Sequence, residues 1–324
     1  MVSKWGTAQK FRQEFIVPDK TVLRWFPGHM AGGIKKIQAK LKSVDCILEV
    51  HDARIPISGR NPNFKRDFLG VKPHVLVLNK ADLADVNHTP EILQYLETKE
   101  NIRDVVFTDC KKQTTSAGLN KLVPKILEAI SNSNRHNRIC NREFGVLIIG
   151  VPNVGKSSLI NALRSKYLNK AGHAPVGCNP GVTVSVQNRI KISQDPSVFI
   201  YDTPGILTPR LPNVYAGLKL AACAAIKDSL VGPVVIADYL LYWCNKNHWD
   251  NYLDFFGIQD RCDEIGKLLT EYAIKKNIYL RLRSVEGAAG MVIKPDIDKA
   301  ADLFIDAFRK GKLGPVTLDV DVLS

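Results

Sequence analysis

The segment Gly150-Val-Pro-Asn-Val-Gly-Lys-Ser157 combines glycines, a lysine and a terminal hydroxyl at the spacing of a phosphate loop. Such a loop wraps phosphate oxygens in backbone amides while the following helix offers its positive end. On this reading Asn153, Val154, Gly155 and Ser158 line the nucleotide, Lys156 reaches the β and γ phosphates, and Ser157 ligates magnesium. A plain glycine turn between strand and helix is the alternative. The apolar Gly145-Val-Leu-Ile-Ile149 before it and Leu159-Ile-Asn-Ala-Leu163 after it supply the context a phosphate loop requires. Downstream, Asp202-Thr-Pro-Gly205 follows an apolar strand, so Asp202 can hold the hydration shell of magnesium and the Gly205 amide can approach a γ phosphate. Between them Thr183, in the Gly/Pro-rich stretch Asn179-Pro-Gly-Val-Thr183, is expected either to complete the magnesium coordination as a switch threonine or to be an ordinary loop residue.

A fourth motif, Asn79-Lys-Ala-Asp82, selects the base. The Asp82 carboxylate offers two acceptors to the N1 and N2 donors of guanine, whereas adenine has no such pair and would leave the acid unsatisfied. Asn79 would steady the base and its loops, and the stem of Lys80 would cover the ring. An ordinary GTPase carries this tetrad after the phosphate loop, whereas here it comes first. That order results when the old ends of a GTPase are joined and the chain is cut elsewhere, which moves both termini and leaves the site intact.

The elements that must position these groups follow from the apolar patterning. Residues 31–42 have helical spacing of Ile34, Ile37 and Leu41, and 46–50, 74–78, 105–107, 145–149 and 198–201 read as buried strands. Three of them deliver the tetrad, the loop and DTPG from their carboxyl ends, where open α/β sheets bind ligands. A helix is expected over 118–130, and the polar stretch 131–142 looks like the splice between the former ends. After Pro212 the pattern turns helical without strand alternation, over 214–226, 234–244, 260–274 and 297–308. The expected fold is therefore α/β: a circularly permuted P-loop GTPase domain over 25–212, then a smaller, mostly helical domain over 213–324.

A formal charge of +13 and a pI near 9.4 favour a polyanionic partner, a soluble basic enzyme being the alternative. In the helical domain Lys219, Lys227, Lys275, Lys276, Arg281, Arg283, Arg309 and Lys310 could face RNA or simply form a solvated surface. The seven cysteines are scattered and never spaced as CxxC, so neither a disulfide framework nor a zinc site is indicated. No run reaches the roughly 20 apolar residues of a membrane-spanning helix. Residues 1–24 are basic with interleaved aromatics, compatible with an organelle-targeting helix or with a basic arm of the folded domain.

Beyond single motifs, Trp25-Phe-Pro-Gly-His-Met30, Asp52-Ala-Arg-Ile-Pro-Ile-Ser-Gly-Arg-Asn-Pro62, the extended phosphate loop and Phe308-Arg-Lys-Gly-Lys-Leu-Gly314 resemble the circularly permuted GTPases of ribosome biogenesis. The likeness is to the bacterial ribosome biogenesis GTPase A group, in particular its mitochondrial ribosome-associated branch, and it runs from about Trp25 to the end. It implies GTP hydrolysis, GTP and GDP as ligands, a mitochondrial matrix location peripheral to the inner membrane, and a role with the large ribosomal subunit and its rRNA. It also bears on mechanism. Ile206 stands where a Ras-like GTPase has its water-orienting glutamine, and the resemblance gives that task to His29, which is otherwise a structural histidine in a Pro-Gly turn. It likewise makes Asn153 a potassium ligand, as in GTPases where a monovalent cation replaces an arginine finger, or else a turn-stabilising asparagine. Two rival readings remain open: a GTP-binding scaffold without useful turnover, and the same enzyme acting on a cytosolic or nucleolar particle.

Overall fold

A computed structural model describes residues 11–17, 37–61, 64, 72–111, 116–133, 142–170, 189–207, 213–283 and 291–323. Six strands form one sheet in the order β3-β2-β1-β4-β6-β5, namely β1 (Cys46–Asp52), β2 (His74–Asn79), β3 (Val105–Thr108), β4 (Glu143–Ile149), β5 (Arg189–Ser193) and β6 (Ser197–Tyr201). All neighbours are parallel except β5, which runs antiparallel to β6 at the edge. The chain builds outward from β1 through β2 to β3, then returns to place β4 on the other side of β1. That reversal is the switch point at which a doubly wound sheet opens a ligand crevice.

β1 is buried along its whole length, as a central parallel strand covered on both faces must be. One face packs Ile47 with Leu147, Ile149, Ile37, Leu41, Phe64 and Ile206. β1 also carries a charge in the interior, because Glu49 is fully buried. Arg60 grips it through Nε and Nη2 at 3.1 Å each, and His51 and His74 approach it at 2.8 Å. Burial alone would raise the Glu49 carboxyl, but Arg60 and the two histidines outweigh it and hold the acid well below its ordinary range.

The chain forms two compact units, one of residues 22–230 with 315–324, the other of residues 1–21 with 231–314. The division falls at residues 230 and 314 rather than near residue 212. Helix Val214–Ala222 belongs with the sheet unit because it is buried almost throughout, capped by Asn213 Oδ1 on the Ala216 amide at 2.8 Å. Lys219 on this helix is therefore not a surface cation facing RNA. It is 1% exposed and its ammonium donates to Asp319 at 3.0 Å and Asp321 at 2.5 Å.

In the second unit, helices Pro233–Lys246, Ile265–Lys275 and Ile297–Arg309 pack around Phe256, Tyr272 and Phe304. The Asp296 carboxylate accepts the Lys299 amide at 2.8 Å and so caps the last of these helices. Sequence patterning predicts a mostly helical domain here, without strand alternation, yet Tyr279–Arg283 and Met291–Pro295 pair as an antiparallel ribbon. Each strand is five residues long, too short for alternation to stand out between longer helical periods. Residues 11–17 also belong to this unit. The Arg12 guanidinium forks onto Asp238 at 2.8 and 3.0 Å and reaches Asp263 at 2.9 Å, while Phe15 is buried against Tyr239 and Tyr242. Of the remaining cations expected to face RNA, Lys227, Lys275, Lys276, Arg281 and Lys310 are exposed and Arg309 is half-buried; the side chain of Arg283 lies outside the description.

Candidate functional site

Five parallel strands bring their carboxyl ends to one edge, and each supplies a polar or glycine residue there. These are Asp52 from β1, Asn79 from β2, Thr108 from β3, Gly150 directly after β4 and Asp202 directly after β6. The phosphate loop turns into helix Lys156–Leu168 at Gly155, whose φ of 94° favours glycine. A Cβ at Gly155 would also collide with the Asn79 amide. Asn79 Nδ2 donates to the Val154 carbonyl at 2.8 Å, while its Oδ1 accepts from Thr108 Oγ1 at 3.0 Å and Cys110 Sγ at 3.1 Å. One buried side chain thus ties the base tetrad, the phosphate loop and the end of β3 together.

A cavity of about 320 Å³ opens between these elements, lined by Lys80, Asp82, Cys110, Lys111, Gly155 and Ser158 together with Asn79, Asp109 and Asn161. Lys80 has a left-handed backbone with φ of 60°, and its ammonium meets Asp52 Oδ2 at 2.9 Å. The same carboxylate receives Arg54 through Nε at 3.0 Å and Nη2 at 2.8 Å. Burial pushes the Asp52 acid upward, yet Arg54 and Lys80 more than reverse this, so Asp52 remains charged far into acid. Lys111 reaches Asp82 Oδ2 at 3.0 Å from a largely exposed position. The Cys110 thiol is pushed up to about 12 by burial and is no nucleophile at neutral pH.

At the phosphate end, Lys156 is 8% exposed and donates to the carbonyls of Gly150 at 3.2 Å and Val151 at 2.9 Å. Burial lowers its ammonium to about 8, with Asp202 offsetting part of the shift. Asp202 responds in the opposite sense: burial raises it, countered by Lys156, the Thr203 amide and the Ser157 hydroxyl. One of its oxygens, Oδ1, is buried without a hydrogen-bond partner among the described residues. An orphaned carboxylate oxygen beside a serine hydroxyl is a donor set that fits magnesium, a hard cation that prefers oxygen ligands. Gly205 lies so near the phosphate loop that a Cβ there would sit 2.6 Å from the Pro152 nitrogen. The next residue points the other way. Ile206 is 1% exposed within the core cluster around Ile47 and Leu147, and its amide donates to the Gly150 carbonyl at 3.1 Å.

Asn79, Lys80, Asp82, Asn153, Val154, Gly155, Lys156, Ser157, Ser158, Asp202 and Gly205 thus gather at the same edge of the sheet, while His29 and Thr183 lie outside the described residues. Asn153 is left-handed, with φ of 58°, and its Nδ2 donates to the distant Ala224 carbonyl at 2.8 Å, tying the phosphate loop to the segment after helix Val214–Ala222. Sequence reading passed over Lys111 and the Asp52–Arg54 pair. The signal for them was the position just beyond strand ends, since β1 and β3 finish beside β2.

A family model described as 50S ribosome-binding GTPase matches residues 145–274. Mitochondrial ribosome-associated GTPase 1 of Bos taurus is 46% identical over 314 residues, which cover 97% of this chain and 93% of the relative. Ribosome biogenesis GTPase A of Bacillus licheniformis is 34% identical over 301 residues, covering 92% of this chain and 98% of its own. The chain belongs to this GTPase family. The crystal structure of GNP-bound YlqF from T. maritima superimposes with a TM-score of 0.54 at 23% identity, covering 88% of this chain and 96% of that one, and so shares the fold. The α/β fold with its permuted phosphate-loop domain is that of the family, and P-loop GTPases generally use magnesium with GTP.

Proposed function

We propose that this GTPase acts on the maturing large subunit of the mitochondrial ribosome, binding it in the GTP state and leaving after hydrolysis. The observation that carries the reading is the Asn79–Val154 hydrogen bond, which joins a guanine-selective tetrad to a phosphate loop despite their reversed order in the chain. The mitochondrial and ribosomal assignment is supported by the names of relatives at 46% identity. We place the protein in the matrix, peripheral to the inner membrane; among the described residues no helix is long and apolar enough to cross one. The exposed basic residues Lys275, Lys276 and Arg281 supply the affinity for rRNA, with Arg283 added from the sequence. Depleting the protein is expected to leave large subunits immature and mitochondrial translation reduced, with small subunits less affected. Normal large-subunit gradients after complete depletion would overturn the reading.

Asp82 reads the guanine edge, Lys80 covers the ring, and the amides of Asn153, Val154, Gly155, Ser158 and Gly205 cradle the phosphates. Lys156 neutralises charge between the β and γ groups. Ser157 and Asp202, with Thr183, would hold magnesium, which would supply positive charge against the phosphate oxygens. Ile206 is committed to the core, so another group must orient the attacking water, and His29 takes that role. The His29→Ala variant should lose particle-stimulated turnover while keeping its GTP affinity; unchanged turnover would make His29 structural. Asn153 would hold potassium, which would supply a further positive charge beside the phosphates. Exchanging potassium for sodium should slow hydrolysis, and Asn153→Ala should erase the difference, whereas equal rates in both salts for the unchanged protein would remove potassium from the mechanism.

A further inference from the structure

The buried ion pair of Lys219 with Asp319 has no part in the chemistry above, and neither does the segment 315–323 that carries it. Asp319 is wholly buried, a position a carboxylate tolerates only with full pairing. It achieves this by accepting Lys219 Nζ at 3.0 Å on one oxygen and the amides of Ile57 and Ser58, each at 2.8 Å, on the other. The backbone around it bonds the same region. The Leu318 amide donates to the Arg54 carbonyl at 2.8 Å, and the Val316 amide donates to the Leu83 carbonyl at 2.9 Å. Leu83 is the residue next to Asp82. Arg54 holds Asp52, and Asp52 holds Lys80.

Segment 315–323 therefore touches both supports of the base pocket. Through Leu83 it steadies the turn that presents Asp82, and through Arg54, Ile57 and Ser58 it steadies the loop that follows Asp52, the β1 residue whose carboxylate meets the Lys80 ammonium. Leu323 adds an apolar anchor against the cluster of Leu76, Leu78, Ile92 and Leu96.

From this we propose that Asp319 is a positioning residue for guanine nucleotide, bracing Lys80 and Asp82 from behind so that the nucleotide is released slowly. The proposal rests on the assignment of the pocket to guanine. Remote bracing residues shift coupling free energies modestly, so Asp319→Ala is expected to speed dissociation of a fluorescent GDP analogue roughly two- to thirtyfold.

A purely structural Asp319 would loosen the whole fold, so the test includes an epistasis arm. In a Lys80→Ala background the brace has lost one of the two groups it holds, and adding Asp319→Ala should then accelerate release by much less than it does in the unchanged protein. Asp319→Asn, which keeps an acceptor for the Ile57 and Ser58 amides, should give an intermediate rate and keeps the test available if the alanine variant does not fold. Dissociation from Asp319→Asn at the unchanged protein's rate, or equal acceleration by Asp319→Ala with and without Lys80, would overturn the brace. Failure of the unchanged full-length protein to bind the GDP analogue would instead remove the guanine assignment, and the brace with it.

Discussion

Replacing Asp82 by Asn is expected to weaken GTP binding by about a hundredfold or more, because two hydrogen bonds to a charged acceptor, each worth roughly 1.5–3 kcal/mol, are lost together. The asparagine amide presents a donor where guanine also presents a donor. Xanthine offers a carbonyl at that position, so xanthosine triphosphate should bind the variant better than it binds the unchanged protein. Lys111 does not change this expectation. Its ion pair with Asp82 involves a lysine that is 68% exposed, and such pairs contribute about 1 kcal/mol or less. Guanine displaces it at small cost. Calorimetric titration with GTP, ATP and xanthosine triphosphate measures all of this; equal ATP and GTP affinities in the unchanged protein would refute the base assignment.

The second large effect belongs to the phosphate end. Lys156→Ala and Ser157→Ala should each lower kcat/KM for GTP by about a hundredfold or more, the usual loss when one preorganised electrostatic ligand is removed. Lys156 also carries a pH signature. Its ammonium titrates at about 8 in the nucleotide-free protein, and the phosphates of a bound nucleotide would draw the proton back. GTP affinity should therefore fall as pH rises above 8, by up to about tenfold per unit, until the bound-state pKa is passed. Stability runs the other way. Between about 8 and the ordinary value of 10.5 the unfolded chain holds more protons at this lysine, so its contribution to the stability of the free protein increases with pH across that window. Lys156→Ala should flatten both profiles. Parallel profiles for variant and unchanged protein would assign the pH dependence to another group.

Much of the site was legible because it is built from local motifs at strand ends. Asn79, Gly150 and Asp202 each stand immediately after an apolar run, and an open parallel sheet converts three separate strand ends into one edge. The permuted order did not obscure this, since strand adjacency rather than chain order sets the neighbours. What escaped is non-local. Asp319 lies 262 residues from the Ile57 amide it accepts, and a lone aspartate in a short tail carries no spacing that announces such a partner. Lys219 looked like one more surface cation for the same reason: its burial depends on Asp319, not on its own helix. The edge strand Arg189–Ser193 and the ribbon of Tyr279–Arg283 with Met291–Pro295 are five residues per strand, so their pairing outweighs a weak local pattern. Apolar periodicity changes near residue 212, whereas the compact units divide after residue 230, so that helix Val214–Ala222 stays in the unit that holds the sheet.

The most direct test of the central claim is co-sedimentation of the purified full-length protein with isolated mitochondrial large subunits, loaded in turn with a non-hydrolysable GTP analogue and with GDP, across a salt series. The account predicts binding in the GTP-analogue state, release in the GDP state, and a binding constant whose logarithm falls linearly with the logarithm of salt, with a shallower slope when Arg281 and Arg283 are neutralised. Equal binding in both nucleotide states, or sedimentation only with small subunits, would contradict it.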